Sequence, residues 1–137
     1  MQKYTSGSDI ETKAIAAKLA KSTEARVFAL SGELGAGKTT FVQGFAEALG
    51  IKEKIISPTF VLIRQHKIPC SKKTLYHIDL YRIDDISNIG LEEILSNPDN
   101  IVLIEWAEKI ENILPENALK INITKSEENQ RLITILC

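Results

Sequence analysis

Residues 32–39 read Gly-Glu-Leu-Gly-Ala-Gly-Lys-Thr, which satisfies the Gly-x-x-x-x-Gly-Lys-[Ser/Thr] pattern of phosphate-binding loops. Glycines let such a loop curl until successive amide groups face phosphate oxygens, and the helix that follows adds its free N-terminal amides. We expect Lys38 to contact the outer phosphates and the Thr39 hydroxyl to bind magnesium. The other residues expected to line this nucleotide site are Gly32, Glu33, Leu34, Gly35, Ala36, Gly37 and Thr40.

A nucleotide site of this class also needs an acidic residue near magnesium, usually at the end of another buried strand. Glu105 directly follows the apolar run Ile-Val-Leu-Ile at residues 101–104. We therefore predict that Glu105 organises the magnesium ion and its water, as a glutamate where aspartate is commoner. The alternative is a strand-end carboxylate that faces solvent.

Two further polar segments could act on the terminal phosphate. Thr59 lies in a Ser-Pro-Thr segment where a switch would fall, although pattern alone favours a proline turn into a strand. Asp79 alternates with His77 and Tyr81 along a predicted strand, so these side chains share one face. The cluster could orient water or could be a structural hydrogen-bond cluster, and the sequence favours neither.

The elements around the loop follow from hydrophobic spacing. Residues 26–30 form a short apolar run that predicts a buried strand, and Phe41 begins an apolar repeat of helical period that Gly50 ends as a left-handed cap. An earlier helix is predicted over residues 9–20, because Ser8 and Glu11 have the spacing of a capping box.

The rest of the chain reads as strands and short helices. Residues 60–67 and 74–81 predict an antiparallel hairpin, and residues 91–95 predict a short helix. Strands are also predicted at 101–104, 118–123 and 131–136, the last two flanking a polar turn at 126–130. Helices alternating with strands, plus hairpins, indicate a single domain over residues 1–137 with a three-layer α/β fold and a mixed parallel and antiparallel sheet.

Composition excludes several classes of protein. The chain has 137 residues with 17 Lys+Arg against 18 Asp+Glu, and the net charge of −1 disfavours binding DNA or tRNA by its own electrostatics. The longest apolar runs have four residues, far below the roughly 20 of a membrane span. The two cysteines, Cys70 and Cys137, are expected to be free thiols in a reducing cytoplasm.

Other phosphate-loop classes fit less well. GTPases carry Asp-x-x-Gly, which this chain lacks, and residues 124–127, Thr-Lys-Ser-Glu, only approach the guanine-reading element. A small-molecule kinase usually needs an arginine-bearing lid, and the four arginines here (26, 64, 82 and 131) supply no obvious one. A kinase is the alternative function, and a nucleotide-gated binding module without turnover is a third.

Four motifs together resemble the TsaE (YjeE) family of small bacterial ATPases. They are the loop from Ser31 to Phe41, Ser-Pro-Thr-Phe at 57–60, His-Ile-Asp-Leu-Tyr-Arg at 77–82, and Ile-Glu-Trp at 104–106. The resemblance implies a P-loop NTPase fold and slow hydrolysis of ATP with Mg²⁺. It also implies association with TsaB and TsaD in forming threonylcarbamoyladenosine at position 37 of tRNAs reading ANN codons. TsaE does not transfer the group itself, so tRNA is met only through the complex.

The resemblance also implies roles for individual residues. It supports Lys38, Thr59, Asp79 and Glu105 as the catalytic set, with Thr39 and Glu105 at the metal and Trp106 as the tryptophan that follows the acid. Arg131 falls where the tail of the family approaches the nucleotide base.

Overall fold

The computed structural model describes residues 2–33, 35–53, 55, 63–81, 90–127 and 130–136. The prediction for Thr59 and the rest of the Ser-Pro-Thr segment lies outside these residues, as do Leu34 and Cys137. In chain order the elements are β1 (Gln2–Ser6), α1 (Asp9–Ser22), β2 (Val27–Ser31), α2 (Lys38–Ala48), β3 (Ile63–Lys67), β4 (Thr74–Asp79), α3 (Leu91–Ser96), β5 (Asn100–Glu105), a kinked 3₁₀ helix (Ala107–Ile113), β6 (Leu119–Lys125) and β7 (Arg131–Leu136).

The described strands form one seven-stranded sheet in the order β1-β7-β6-β2-β5-β4-β3. The four central strands β6, β2, β5 and β4 run parallel, while β3, β7 and β1 pair antiparallel with their neighbours. The mixed sheet is therefore confirmed. Because the carboxyl ends of parallel strands meet at one edge, the ends of β2, β4 and β5 converge there.

Helices cover both faces of the sheet and complete three layers, as predicted. On one face, α1 and α2 pack against alternate residues of the central strands, and Phe28 of β2 meets Phe45 of α2 with ring centroids 4.9 Å apart. On the other face, α3 and the 3₁₀ helix pack against the intervening residues, such as Ala29 and Ile104. The period-two alternation along each central strand divides the core into these two clusters.

Helix α1 begins with the predicted cap. The Ser8 side chain accepts a hydrogen bond from the Glu11 amide at 3.1 Å, and the Glu11 carboxylate accepts one from the Gly7 amide at 2.8 Å. The helix runs two residues beyond the predicted end at residue 20. It packs tightly on α2, because a Cβ added at Gly44 would lie 2.5 Å from the Cα of Lys13.

Several boundaries and two elements differ from the predictions. The hairpin is confirmed, but β4 ends at Asp79, so Tyr81 does not belong to the strand face that it was predicted to share with Asp79. Strand β1 was not predicted, because it is short, mostly polar and stabilised by pairing with β7 at the far end of the chain. The 3₁₀ helix was also missed, because its short turns carry no 3.6-residue repeat.

None of the described helices is both long enough and apolar enough to cross a membrane.

Candidate nucleotide-binding site

The glycine loop connects β2 to α2 at the edge where the parallel strands end. Gly32 has a φ of +145°, and a Cβ added there would lie 2.2 Å from the carbonyl oxygen of Ile123 in β6. The backbone therefore crosses β6 so closely that only glycine fits. Gly37 has a φ of +105° and precedes α2, so the first amides of that helix open towards the loop.

Lys38 is the first residue of α2 and is only 5% exposed. Its Nζ donates to the carbonyl oxygen of Gly32 and, at 3.4 Å, to that of Glu33, and it lies 3.9 Å from the centroid of the Trp106 ring. Burial lowers the pKa of Lys38, while four acidic groups raise it, namely Glu105, Glu108, Asp79 and Glu33. The Lys38 ammonium is thus held by hydrogen bonds to two carbonyl groups of the loop and by a cation–π contact with Trp106.

Glu105 ends β5 and is only 3% exposed, which excludes the solvent-facing alternative. Thr39 Oγ1 donates to Glu105 Oε2 at 3.3 Å, so the residue predicted to bind magnesium contacts the predicted acid directly. His77 of β4 lies on the other side, with its Nε2 2.5 Å from the same Oε2. The structure thus places these three side chains together.

Asp79 ends β4 and pairs in register with Glu105 of β5. Its Oδ1 accepts a hydrogen bond from the Tyr81 amide at 2.9 Å. Burial raises the pKa of Asp79 and the charge of Glu105 adds to this, whereas the Tyr81 hydrogen bond, His77 and Lys38 lower it. The Tyr81 ring packs against the Trp106 ring with their centroids 4.9 Å apart. Its side chain therefore contacts Trp106, while its amide contacts Asp79.

These residues line one cleft of about 260 Å³ at the carboxyl edge of the sheet. The predicted residues on its wall are Gly35, Gly37, Lys38, Thr39, Thr40, Asp79, Glu105 and Arg131. Arg131 reaches it from β7 through a 3.4 Å hydrogen bond from Nη2 to the Gly35 carbonyl oxygen. Residues from five elements, the loop and Trp106 thus surround one space, as a bound nucleotide requires.

Local sequence patterns did not predict two residues of the cleft wall, Asp9 and Trp106. Asp9, at the start of α1, was read only as part of a helix N-terminus, and nothing in the local pattern links it to the loop. Trp106 was named only through a family motif. Its backbone has a φ of +61°, uncommon for a residue other than glycine, and this turn lets the ring lie over Lys38.

A larger cleft of about 580 Å³ is lined by α1, α2, residues 50–53 and Ile55. It is lined by Lys13, Gln43, Glu47 and neighbouring residues and includes no glycine of the loop and no residue of the acidic pair. Size alone therefore does not identify the site. The smaller cleft is the candidate site because it combines the glycine loop and the start of α2 with the cations Lys38 and Arg131 and three carboxylates, those of Asp9, Asp79 and Glu105.

The side chains suit a nucleotide with a hard divalent cation. Oxygen donors such as the Thr39 hydroxyl and the Glu105 carboxylate are those that Mg²⁺ prefers. Within the described residues, no group of three or more His, Cys, Asp or Glu could hold a metal alone. A cation here would therefore need phosphate oxygens and water as additional ligands.

Comparison with known proteins decides the family. The family model described as "Threonylcarbamoyl adenosine biosynthesis protein TsaE" matches residues 6–133. The chain belongs to the TsaE family. The matched range contains every candidate site residue from Gly32 to Arg131, so membership and geometry concern the same part of the chain.

Individual TsaE proteins are similar along most of their length. The Bacillus subtilis tRNA threonylcarbamoyladenosine biosynthesis protein TsaE is 44% identical over 131 residues, covering 90% of this chain and 78% of that protein. The Rickettsia conorii protein of the same name is 38% identical, covering 97% and 77%. The crystal structure of Bacillus subtilis YdiB superposes with a TM-score of 0.82 at 38% identity, covering 98% of this chain and 83% of that one. The TsaE family thus supports both the α/β fold and nucleotide binding.

Proposed function

We propose that this TsaE protein is a P-loop ATPase that hydrolyses ATP with Mg²⁺ in the cleft, weakly alone and faster with its partners. The observation that carries the proposal is the hydrogen bond between Thr39 and Glu105, which joins the phosphate loop to the acid of β5. Burying a carboxylate costs free energy, and a glycine-rich turn that binds nothing does not require a buried carboxylate beside that hydroxyl. Residues 1–137 are proposed to act as one ATPase domain.

The loop and α2 supply the binding of phosphate. The amides of residues 32–40 and the start of α2 would hold the β- and γ-phosphates, and Lys38 would leave its loop carbonyls to contact them. We assign Thr40 and Arg131 to the side of the cleft that receives the nucleoside, with Arg131 beside the base. Glu33, Leu34 and Ala36 complete the loop that encloses the phosphates.

Thr39 and Glu105 are the residues that would hold magnesium, Glu105 through water. Magnesium bound there would neutralise charge that develops on the phosphate oxygens. The protein contributes a hydroxyl and a buried carboxylate that already lie in contact, so little reorganisation is needed.

Hydrolysis requires a positioned water molecule. Its oxygen bonds to the terminal phosphorus, the bond from that phosphorus to the oxygen of ADP breaks, and the proton of the water passes to an oxygen acceptor. We assign Asp79 to orient this water, since its raised pKa makes it a better proton acceptor than an ordinary aspartate. Thr59 is proposed as the switch residue from the family motif alone.

The proposed biological role is support of threonylcarbamoyladenosine formation at position 37 of tRNAs reading ANN codons. The names of the Bacillus and Rickettsia relatives place those proteins in that pathway. We propose that the chain acts in the cytoplasm with TsaB and TsaD, does not transfer the group itself, and meets tRNA only through the complex. The net charge of −1 supports this, because direct tRNA binding usually needs a basic surface.

The site assignment is tested by Lys38→Ala, with Lys13→Ala as the matched control. Lys13 is a partly exposed lysine of α1 that pairs with Glu47 at 3.6 Å. We expect Lys38→Ala to abolish release of phosphate from ATP, because the outer phosphates lose their main cation, while Lys13→Ala hydrolyses ATP like the unaltered protein. Equal activity in both variants would disprove the assignment.

The role in the complex is tested by measuring phosphate release with and without TsaB and TsaD from the same organism. We expect both binding and stimulation, and the absence of both would refute the partner proposal while leaving the ATPase proposal intact. Labelled ATP in the same reactions addresses the kinase alternative, since a kinase leaves label on an organic acceptor. Among the described arginines only Arg131 lines the cleft, and Arg26 donates to the backbone carbonyls of Asn97 and Asn100, so these arginines supply no lid that would support a kinase.

A further inference from the structure

His77 lies within β4, away from the wall of the cleft, and its side chain is completely buried. It pairs in register with Leu103 of β5, two residues before Glu105. The imidazole nevertheless reaches the end of β5, because its Nε2 is 2.5 Å from Glu105 Oε2. A histidine from one strand thus supports the acid of its neighbour.

Two donors meet on one oxygen of the Glu105 carboxylate. Among the described residues, the side-chain hydrogen bonds that Glu105 accepts come from Thr39 Oγ1 and His77 Nε2, and both end on Oε2. An ionised carboxylate only accepts, so Nε2 carries the hydrogen in this arrangement. Two donors on one oxygen fix the rotation of the carboxylate and leave Oε1 for groups in the cleft.

The rest of the ring gives no structural reason for a histidine here. Its Nδ1 is buried and has no hydrogen-bond partner in the described part of the chain, which costs free energy that an apolar side chain would avoid. Leu75, two residues earlier on the same face of β4, shows that this face accepts leucine. What the imidazole adds over leucine is the hydrogen bond from Nε2 to Glu105.

We propose that His77 is the positioning residue of Glu105: it holds Oε2 so that Oε1 faces the magnesium-bound nucleotide. The inference rests on the proposed ATPase function and adds a residue to it. Residues that hydrogen-bond to a metal-site ligand typically change metal affinity or activity 10- to 100-fold when they are replaced. His77 touches neither nucleotide nor cleft and acts through Glu105 alone.

The test compares His77→Leu, His77→Asn and His77→Gln in the full chain. Glutamine can place an N–H near the position of Nε2, asparagine is too short to reach Glu105, and leucine has no donor. The matched control is His66→Gln, because His66 is a buried histidine of the adjacent strand β3 that also contacts a glutamate, with Nδ1 3.0 Å from Glu53 Oε2.

Three quantities are measured for each variant: the turnover of ATP as Mg²⁺ is titrated, the affinity for ATP in EDTA, and the midpoint of thermal unfolding. We expect His77→Leu and His77→Asn to need about tenfold more Mg²⁺ and to lose 10- to 100-fold in turnover at saturating ATP. Affinity for ATP in EDTA should change less than twofold. His77→Gln should recover most of the loss, and His66→Gln should show the Mg²⁺ requirement of the unaltered protein.

Two results would overturn the inference. One is a His77→Leu protein with an unaltered Mg²⁺ requirement and turnover. The other is an equal loss of turnover in the glutamine and asparagine variants that parallels a fall in their unfolding midpoints, because His77 would then act only through packing. The asparagine–glutamine contrast decides the question if the leucine variant does not fold. Absence of hydrolysis in the unaltered protein would instead remove the proposed ATPase function, and the inference with it.

Discussion

The glycine loop and the acidic wall of the cleft are built in opposite ways. The loop is one continuous segment, and its shape is set by glycines and by the start of α2. The acidic wall combines Asp79 of β4 with Glu105 of β5, and His77 of β4 supports Glu105 from outside the cleft. These residues meet only because the two strands pair in one register. Local sequence therefore forms the phosphate cradle, whereas sheet formation assembles the groups proposed to act in hydrolysis.

This difference separates binding from turnover. The loop can hold phosphate with backbone amides whatever the state of the acids. Glu105 is buried and Asp79 is half-buried, and the charge of Glu105 raises the pKa of Asp79, so a change to either alters its partner's surroundings. Damage to the wall should therefore reduce hydrolysis more than nucleotide binding, and damage to the loop should remove both.

Among changes to the acidic wall, Glu105→Ala should have the largest effect on turnover. It removes the carboxylate that contacts Thr39 and His77, and we expect hydrolysis to fall by about 100-fold or more, while ATP binding in EDTA stays within about threefold. Phosphate release and a fluorescent-nucleotide titration measure the two quantities. Parallel loss of binding and turnover would contradict the division between loop and wall.

Gly32→Ala should break the loop instead. The added Cβ would meet the Ile123 carbonyl oxygen at 2.2 Å, and the loop must shift away from β6, which we expect to lower the free energy of unfolding by about 3 kcal/mol or more. Gly90→Ala is the control, because Gly90 has a φ of +74° and no atom of the described residues lies within 4 Å of the added Cβ. It should cost about 1–2 kcal/mol from backbone strain alone. Chemical denaturation and ATP titration separate the two variants, and equal costs would rule out the clash.

The same contrast explains what the sequence could predict. The loop, α2 and the Glu105 position follow from residue types at fixed local spacing, and the structure has each of them there. Period-two alternation also placed His77 and Asp79 on one face correctly. The role of that face stayed open, because no local pattern encodes the register that brings Glu105 to His77.

Elements that depend on distant pairing were missed for the same reason. Strand β1 exists through its ladder with β7, more than a hundred residues away, and its own five residues are mostly polar. Asp9 joins the cleft only because α1 packs on α2 at Gly44, where the missing side chain permits close approach. Such contacts follow from tertiary packing, which overrides local propensity.

Arg131→Ala should have a smaller effect that is confined to binding. Arg131 lies at the rim beside Gly35, outside both the loop and the acidic wall, and its contact with the Gly35 carbonyl is long at 3.4 Å. We expect three- to tenfold weaker binding of ATP, about 1 kcal/mol, with little change in turnover at saturation. Arg131→Lys keeps the charge and should retain part of the affinity. A fall in saturated turnover as large as that of Glu105→Ala would place Arg131 with the wall.

Asp79→Asn should lower turnover, because Asp79 is proposed to orient the attacking water, and its effect on stability should be the smallest of these variants. Burial raises the pKa of Asp79 above the ordinary 3.8, with Glu105 adding to the rise, so the folded protein binds this proton more tightly than the unfolded chain. The stabilisation is present below the ordinary pKa and is lost as pH rises through the raised one. Asparagine keeps an oxygen that can accept the hydrogen bond from the Tyr81 amide, and its side chain does not titrate.

The stability of Asp79→Asn relative to the unaltered protein should therefore increase as pH rises from about 4 and level off towards neutral pH. Unfolding midpoints between about pH 4 and pH 8 measure this difference. Asp99→Asn, in the exposed turn before β5, controls for the removal of one carboxylate. If this stability difference instead shrinks as pH rises, the Tyr81 hydrogen bond lowers the pKa of Asp79 by more than burial and the charge of Glu105 raise it. The carboxylate would then be stabilised as an anion, and its assignment as the acceptor of a proton from water would fail.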